Sequence, residues 1–339
     1  MKPHPLLGIL LLCGCTAKAP VELESIDLRE LLASNAERIP LTEIVSSQEL
    51  VPLENHDSAL IGNIRDIVAT DKQIYISSNN ICTEFDKQGN FVRSIGKKGQ
   101  GPEEYVYLSS LEMLGNHLII QDGDRKYMYY NPNGTLIKEQ KLPIEYQSVY
   151  PLSNGGVVGF APNISGDVPL KLALFDSEGT LTDSVPHRLR FTPKFAIHLY
   201  NEGQFYRYKD KVMFKEYLND TIYQIQKEKV EPYMRLELGE YAARENARAE
   251  MTETPKTFRF FKNMKPTQIL GESDRYLFLD VDGYICYDKK EKTAKRIDLM
   301  YNDQELKGLF FSEDNKYLIA SLQPDNEDNP QLLFFKLKE

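Results

Sequence analysis

A repeat constrains this chain more than anything else in it. Lining up its short strand-like runs exposes six pairs in which an apolar or aromatic residue precedes a polar one: Phe85-Asp86, Tyr130-Asn131, Phe175-Asp176, Ile225-Gln226, Tyr287-Asp288 and Phe335-Lys336. Their polar members fall 45, 45, 50, 62 and 48 residues apart. Upstream of most pairs lies a run with strand character, such as Gln73-Ile74-Tyr75-Ile76-Ser77, His117-Leu118-Ile119-Ile120-Gln121 or Tyr276-Leu277-Phe278-Leu279. Three pairs continue into an Asx-x-x-Gly turn and another strand: Asp86 to Gly89, Asn131 to Gly134 and Asp176 to Gly179. A tight hairpin needs such residues, because one turn position requires a positive φ that most side chains resist.

A unit of about 45 residues with four strands has the size of a propeller blade. Six units predict an all-β chain folded as a six-bladed β-propeller, four antiparallel strands per blade. The chain ends on the third strand of its sixth blade, at Leu332-Leu333-Phe334-Phe335-Lys336-Leu337. The ring is therefore expected to close through an N-terminal strand, Gln48–Leu53, which would cover an otherwise open sheet edge. This places the propeller at residues 42–339. The long spacing between the fourth and fifth units holds an insert at about 240–265, where the Ala, Glu and Arg of Glu240–Met251 favour a helix across one face.

The N-terminus has a different character. Lys2 precedes the apolar run Leu6–Leu12, which is too short to span a bilayer and reads as the core of an export signal. The tetrad Leu12-Cys13-Gly14-Cys15 resembles a lipobox, which implies cleavage after Gly14 and a lipid on Cys15. Residues 1–14 then form the signal peptide and 15–41 a polar tether, with at most a short helix around Asp27–Glu37. The formal net charge of −9 becomes −10 once Lys2 is removed, which argues against nucleic acid as a partner. Cys82 and Cys286 remain for the folded body; an oxidising compartment would allow them to pair, but a single pair would be no disulfide framework and two buried thiols are the favoured expectation.

In the first two units the stretch Phe85–Tyr105, with Ile95-Gly96 followed by Gly99-Gln100-Gly101-Pro102-Glu103-Glu104-Tyr105, resembles the signature of six-bladed β-propeller lipoproteins of gut-type Gram-negative anaerobes. Asn219-Asp220-Thr221-Ile222-Tyr223-Gln224-Ile225 is similar to the fourth blade of that family, which is related in shape to NHL-repeat propellers. Glu103 departs from the pattern, where many members carry Gly. The resemblance implies a fold, an outer-membrane location and a setting beside nutrient-uptake systems; glycan or an uptake complex is then the expected partner. No acidic run follows Cys15 and no Asp is next to it, so the periplasmic face is expected in preference to the cell surface.

Candidate ligand residues follow from the ring. Arg65 and Asp66 fall on an inner strand and should point at or near the channel, as a binding pair or as an ion pair that closes it. Glu104 and Tyr105 lie on the crossing between blades and are expected near the mouth. Tyr206 and Arg207, within Phe205-Tyr206-Arg207-Tyr208-Lys209, offer aromatic faces and cations. No catalytic set emerges: His56, His117, His187 and His198 lack metal-ligand spacing, and there is no Gly-x-Ser-x-Gly elbow. The acid pairs Asp122/Asp124 and Asp280/Asp282 lie in Gly-containing turns, which explains them without Ca²⁺. The expectation is a binding or interaction domain without cofactor or metal; the rival is a lyase or lactone hydrolase acting at the channel mouth.

Overall fold

The computed structural model describes residues 23–34, 36–123, 125–142, 146–199, 201–253, 264–324 and 328–339. The signal peptide, Cys15, Asp124 and residues 254–263 of the insert lie outside them. Six antiparallel sheets follow one another along the chain, each a four-stranded meander whose first strand is innermost. Blade 1 runs Ile64–Ala69, Gln73–Ser78, Ile81–Asp86 and Phe91–Ile95, and blade 2 occupies Leu108–Lys141. Blades 3, 4 and 5 span Ser148–Pro186, Gly203–Glu237 and Gln268–Asp298.

Blade 6 takes three strands from Lys307–Leu337 and its outermost from Val45–Pro52, paired antiparallel from Gln331↔Pro52 to Leu337↔Val45. The ring therefore closes with the N-terminal strand that the sequence leads one to expect. Closure satisfies the edge of Gln331–Leu337, a strand too apolar to leave open.

The recurring turn has one mechanism in three blades. Asp86 Oδ1 accepts the amides of Gln88 and Asn90, each at 2.9 Å, and Gly89 takes φ 87°. The same bonds recur from Thr135 to Asn131 and from Glu178 and Thr180 to Asp176. A register shift at Phe85, Tyr130 and Phe175 marks the bulge that accompanies each turn.

The core lies between blades. Side chains alternate along a strand, so each blade packs one face on each neighbour. Ile74 and Ile76 join Ile319 and Leu332 of blade 6, while Tyr75 between them joins Leu111 and Ile120 of blade 2. Cys82 and Cys286 are buried free thiols in blades 1 and 5.

The N-terminal segment differs from the expected tether. Glu24–Asp27 adds a fifth, parallel strand to blade 4, and Arg38–Pro40 adds another to blade 5. Between them lies one short helix, Arg29–Ala33. Ile26, Leu28, Leu32 and Leu41 are buried against these blades. Four apolar residues spread through a polar stretch suffice to dock it, because two blade edges supply its hydrogen bonds. The insert also differs: helix is confined to Ala247–Met251, after a 3-10 turn at Gly239–Tyr241.

Candidate functional site

Each blade's first-to-second and third-to-fourth turns lie at one end of the ring. The opposite end carries the second-to-third connections and the crossings between blades. Among the described residues the connections at this second end include 161–169, 187–199 and 238–253. The concavities of the molecule include a chamber inside the ring and a cleft among the long loops.

The chamber has a volume of about 190 Å³ and takes lining residues from all six inner strands. Asp66, Glu112, Tyr150 and Arg207 come from blades 1 to 4 in turn. Tyr150 donates its hydroxyl to Glu112 Oε2 at 2.5 Å, and Leu111 donates its amide to Asp66 Oδ2 at 2.8 Å. Arg207 donates to the Pro151 carbonyl at 3.2 Å, and its guanidinium carbon lies 5.5 Å from the Tyr150 ring centre. Burial raises the Asp66 carboxyl to about 6 and the Glu112 carboxyl to about 8; Asp66 pushes Glu112 further up, while Tyr150 and Arg207 oppose the rise. Blades 5 and 6 contribute Leu270, Gly271, Leu309, Phe310 and Phe311 from their inner strands, with Glu313 just beyond them. Gly271 leaves room for the Phe311 ring to lie on its backbone, where any β-carbon would collide.

Two of the sequence candidates, Asp66 and Arg207, thus meet in the chamber. Arg65 does not join them, and Tyr206 borders the chamber but sends its hydroxyl elsewhere. Arg65 is exposed and stacks over Tyr107 at 4.7 Å, with no ion pair to Asp66. Tyr206 turns toward blade 5 and donates to Glu272 Oε2 at 3.0 Å. That carboxylate is fully buried and also accepts from Tyr233 at 2.8 Å and Lys289 at 2.9 Å.

Tyr105 corrects the expectation of a mouth residue, while Glu104 stays on the crossing at one end of the ring. Tyr105 is 1 % exposed and packs between blades 1 and 2 with Tyr130 and Leu108; burial moves its hydroxyl up to about 12. Glu104 staples its own loop, accepting from the Gly101 amide at 2.8 Å and pairing with Lys97 at 2.8 Å. Glu103 sits at φ 61°, a conformation that Gly adopts freely, so the turn survives the departure with some strain.

Glu112 and Tyr150 were not singled out from the sequence. The available signal was a lone acid in an apolar inner strand, Leu111-Glu112-Met113-Leu114. Asp122 accepts the amides of Val106 at 2.9 Å and Tyr107 at 3.0 Å, so it serves the blade crossing; Asp282 pairs with Lys265. Among the described residues no three His, Cys, Asp or Glu side chains gather as a metal-binding group.

The cleft lies between blades 3 and 4 and measures about 640 Å³. Five cations line it: Lys171, Arg188, Arg235, Arg244 and Arg248. Lys171 pairs with Glu216, Arg248 with Glu202, and Arg244 with Glu250. Leu23, where the described chain begins, also lines it.

A protein of Bacteroides fragilis described as a "Putative exported protein" matches with TM-score 0.72 and 18 % identity, over 93 % of this chain and 99 % of that one. At that identity the likeness shows the shared fold. Dihydro-heme d1 dehydrogenase matches at TM-score 0.38 and 12 % identity, over 82 % of this chain and 59 % of its own, too distantly to carry an argument. No curated protein matches the sequence. The six-bladed ring agrees with a family match that covers nearly all of the described chain: the protein belongs to the family described as Domain of unknown function (DUF4934), whose model spans residues 23–334.

Proposed function

We propose that this chain is an exported lipoprotein whose propeller is a binding module, anchored through Cys15 at the outer membrane with the periplasmic face favoured. The observation that carries the reading is a cleft of about 640 Å³ at the loop end of the ring, lined by parts of the connections that follow Phe160, Pro186 and Glu237 and bordered by Leu23. Loops on a rigid scaffold are where recognition is built. Cys15 precedes Leu23 by eight residues, so at about 3.5 Å per residue the lipid lies within about 28 Å of the cleft. The cleft would then work close to the membrane, on a glycan or on a component of an uptake complex. The exported character ascribed to the B. fragilis protein fits this reading.

Growth with labelled palmitate should label the parent chain and not Cys15→Ala. Protease shaving of intact cells should leave the propeller intact if the periplasmic face is correct. A glycan array with the purified full-length Cys15→Ala chain, and co-purification of the parent from membranes, then separate glycan from protein partners. Failure of the palmitate label removes the anchor, and failure of both the array and the co-purification removes the binding reading.

A second reading has its own support: the desolvated Glu112 carboxyl beside Tyr150 and Asp66 could serve as an acid–base group for a lyase or lactone hydrolase. Turnover of a lactone or uronide that Glu112→Gln abolishes would establish it, and turnover unaffected by that change would remove it.

A further inference from the structure

The chamber holds a charge arrangement that the fold does not complete. Arg207 reaches into the ring with its Nε buried and without any hydrogen-bond partner. Among the described residues it forms no ion pair, although Glu112 and Glu313 both feel its charge. The groups facing this space are Asp66 from blade 1, Glu112 from blade 2, Tyr150 from blade 3, Arg207 from blade 4 and Glu313 beside the inner strand of blade 6. Blade 5 presents Leu270 and Gly271 there, since Glu272 is turned to Tyr206. Phe311 supplies an apolar face across from the charges.

We propose that the chamber binds one small hydroxylated carboxylic acid, its carboxylate on Arg207, its hydroxyls on Asp66 and Glu112 and its apolar face against Phe311. This goes beyond the loop-face reading and stands without it. An acid ligand supplies the missing acceptor for the guanidinium, in the paired geometry at which arginine excels. It also explains why three carboxylates can surround the site. Glu112, raised to about 8, is protonated at neutral pH and donates; Asp66, raised to about 6, takes up a proton when a further negative charge arrives. A cationic ligand would leave Arg207 unpaired and repelled.

The test is calorimetric titration of the full-length Cys15→Ala chain with D-glucuronate, glucose and glucosamine, which share a ring and differ in charge. Glucuronate should bind, with net proton uptake revealed by buffers of different ionisation enthalpy. Its affinity should fall by up to about tenfold per pH unit above pH 6. Arg207→Met should weaken binding by at least about tenfold, and Glu112→Gln should bind with a shallower pH dependence above about pH 8. If Arg207→Met does not fold, Tyr150→Phe, which keeps every charge, should weaken binding several-fold. Glucose binding as well as glucuronate, glucosamine binding better, no saturable glucuronate binding, or affinity unchanged in the variants would overturn the proposal.

Discussion

Two neighbours in sequence, Tyr206 and Arg207, enter two buried polar clusters with nearly the same inventory and opposite bookkeeping. On one side of the strand Glu272 accepts from Tyr206, Tyr233 and Lys289, so an acid, two phenols and a cation satisfy one another. On the other side Glu112 has Tyr150, while Arg207 lies near it without pairing and keeps a buried N–H unmatched. A buried charge that is fully partnered holds blades together. One left short of partners costs the ring stability, and under the proposal above a ligand completes it.

The largest effect should come from breaking the satisfied cluster. Glu272→Ala leaves Lys289 buried without its carboxylate and should cost about 3–5 kcal/mol in chemical unfolding. Parent-like stability would show that water replaces Glu272 without loss, and the contrast would collapse.

The incomplete cluster should reveal itself through pH. The Glu112 carboxyl binds its proton more tightly in the folded chain, at about 8, than the ordinary value of 4.5. Between those values the folded state carries more protons, so stability from this group is present at low pH and is lost as pH rises toward 8. Glu112→Gln should flatten that slope, by on the order of 2 kcal/mol between pH 5 and 8 once channel water is allowed for. An unchanged slope would place the titration elsewhere. Smaller again, Tyr206→Phe removes one of three bonds to Glu272 and should cost about 1–2 kcal/mol. Equal stability would mean that the other two donors suffice.

The same strand shows what a sequence can display. Strand alternation and the Asp86, Asn131 and Asp176 turns made the blades and their number legible, because those signals are local and repeat. The expected closing strand, Gln48–Leu53, overlaps the observed Val45–Pro52 but starts three residues late and runs one too far. Arg65 and Asp66 were rightly placed on an inner strand, yet which of them faces the axis depends on the bulge between Ile64 and Asp66. Tyr105 belongs to a loop whose sequence does not reveal that its ring turns inward between two blades. Residues 24–40 read as tether because their partners, the outer edges of blades 4 and 5, are some 200 residues or more away in the chain. Glu112 and Tyr150 come from different blades and meet only once the ring is built.

The contrast is tested most directly by the urea-unfolding midpoint of Arg207→Met at neutral pH, measured beside the parent and without ligand. Removing a half-buried cation that has no carboxylate partner among the described residues should leave the midpoint equal to the parent's or higher. A drop comparable to that of Glu272→Ala would make Arg207 a structural residue and contradict the account of an incomplete chamber.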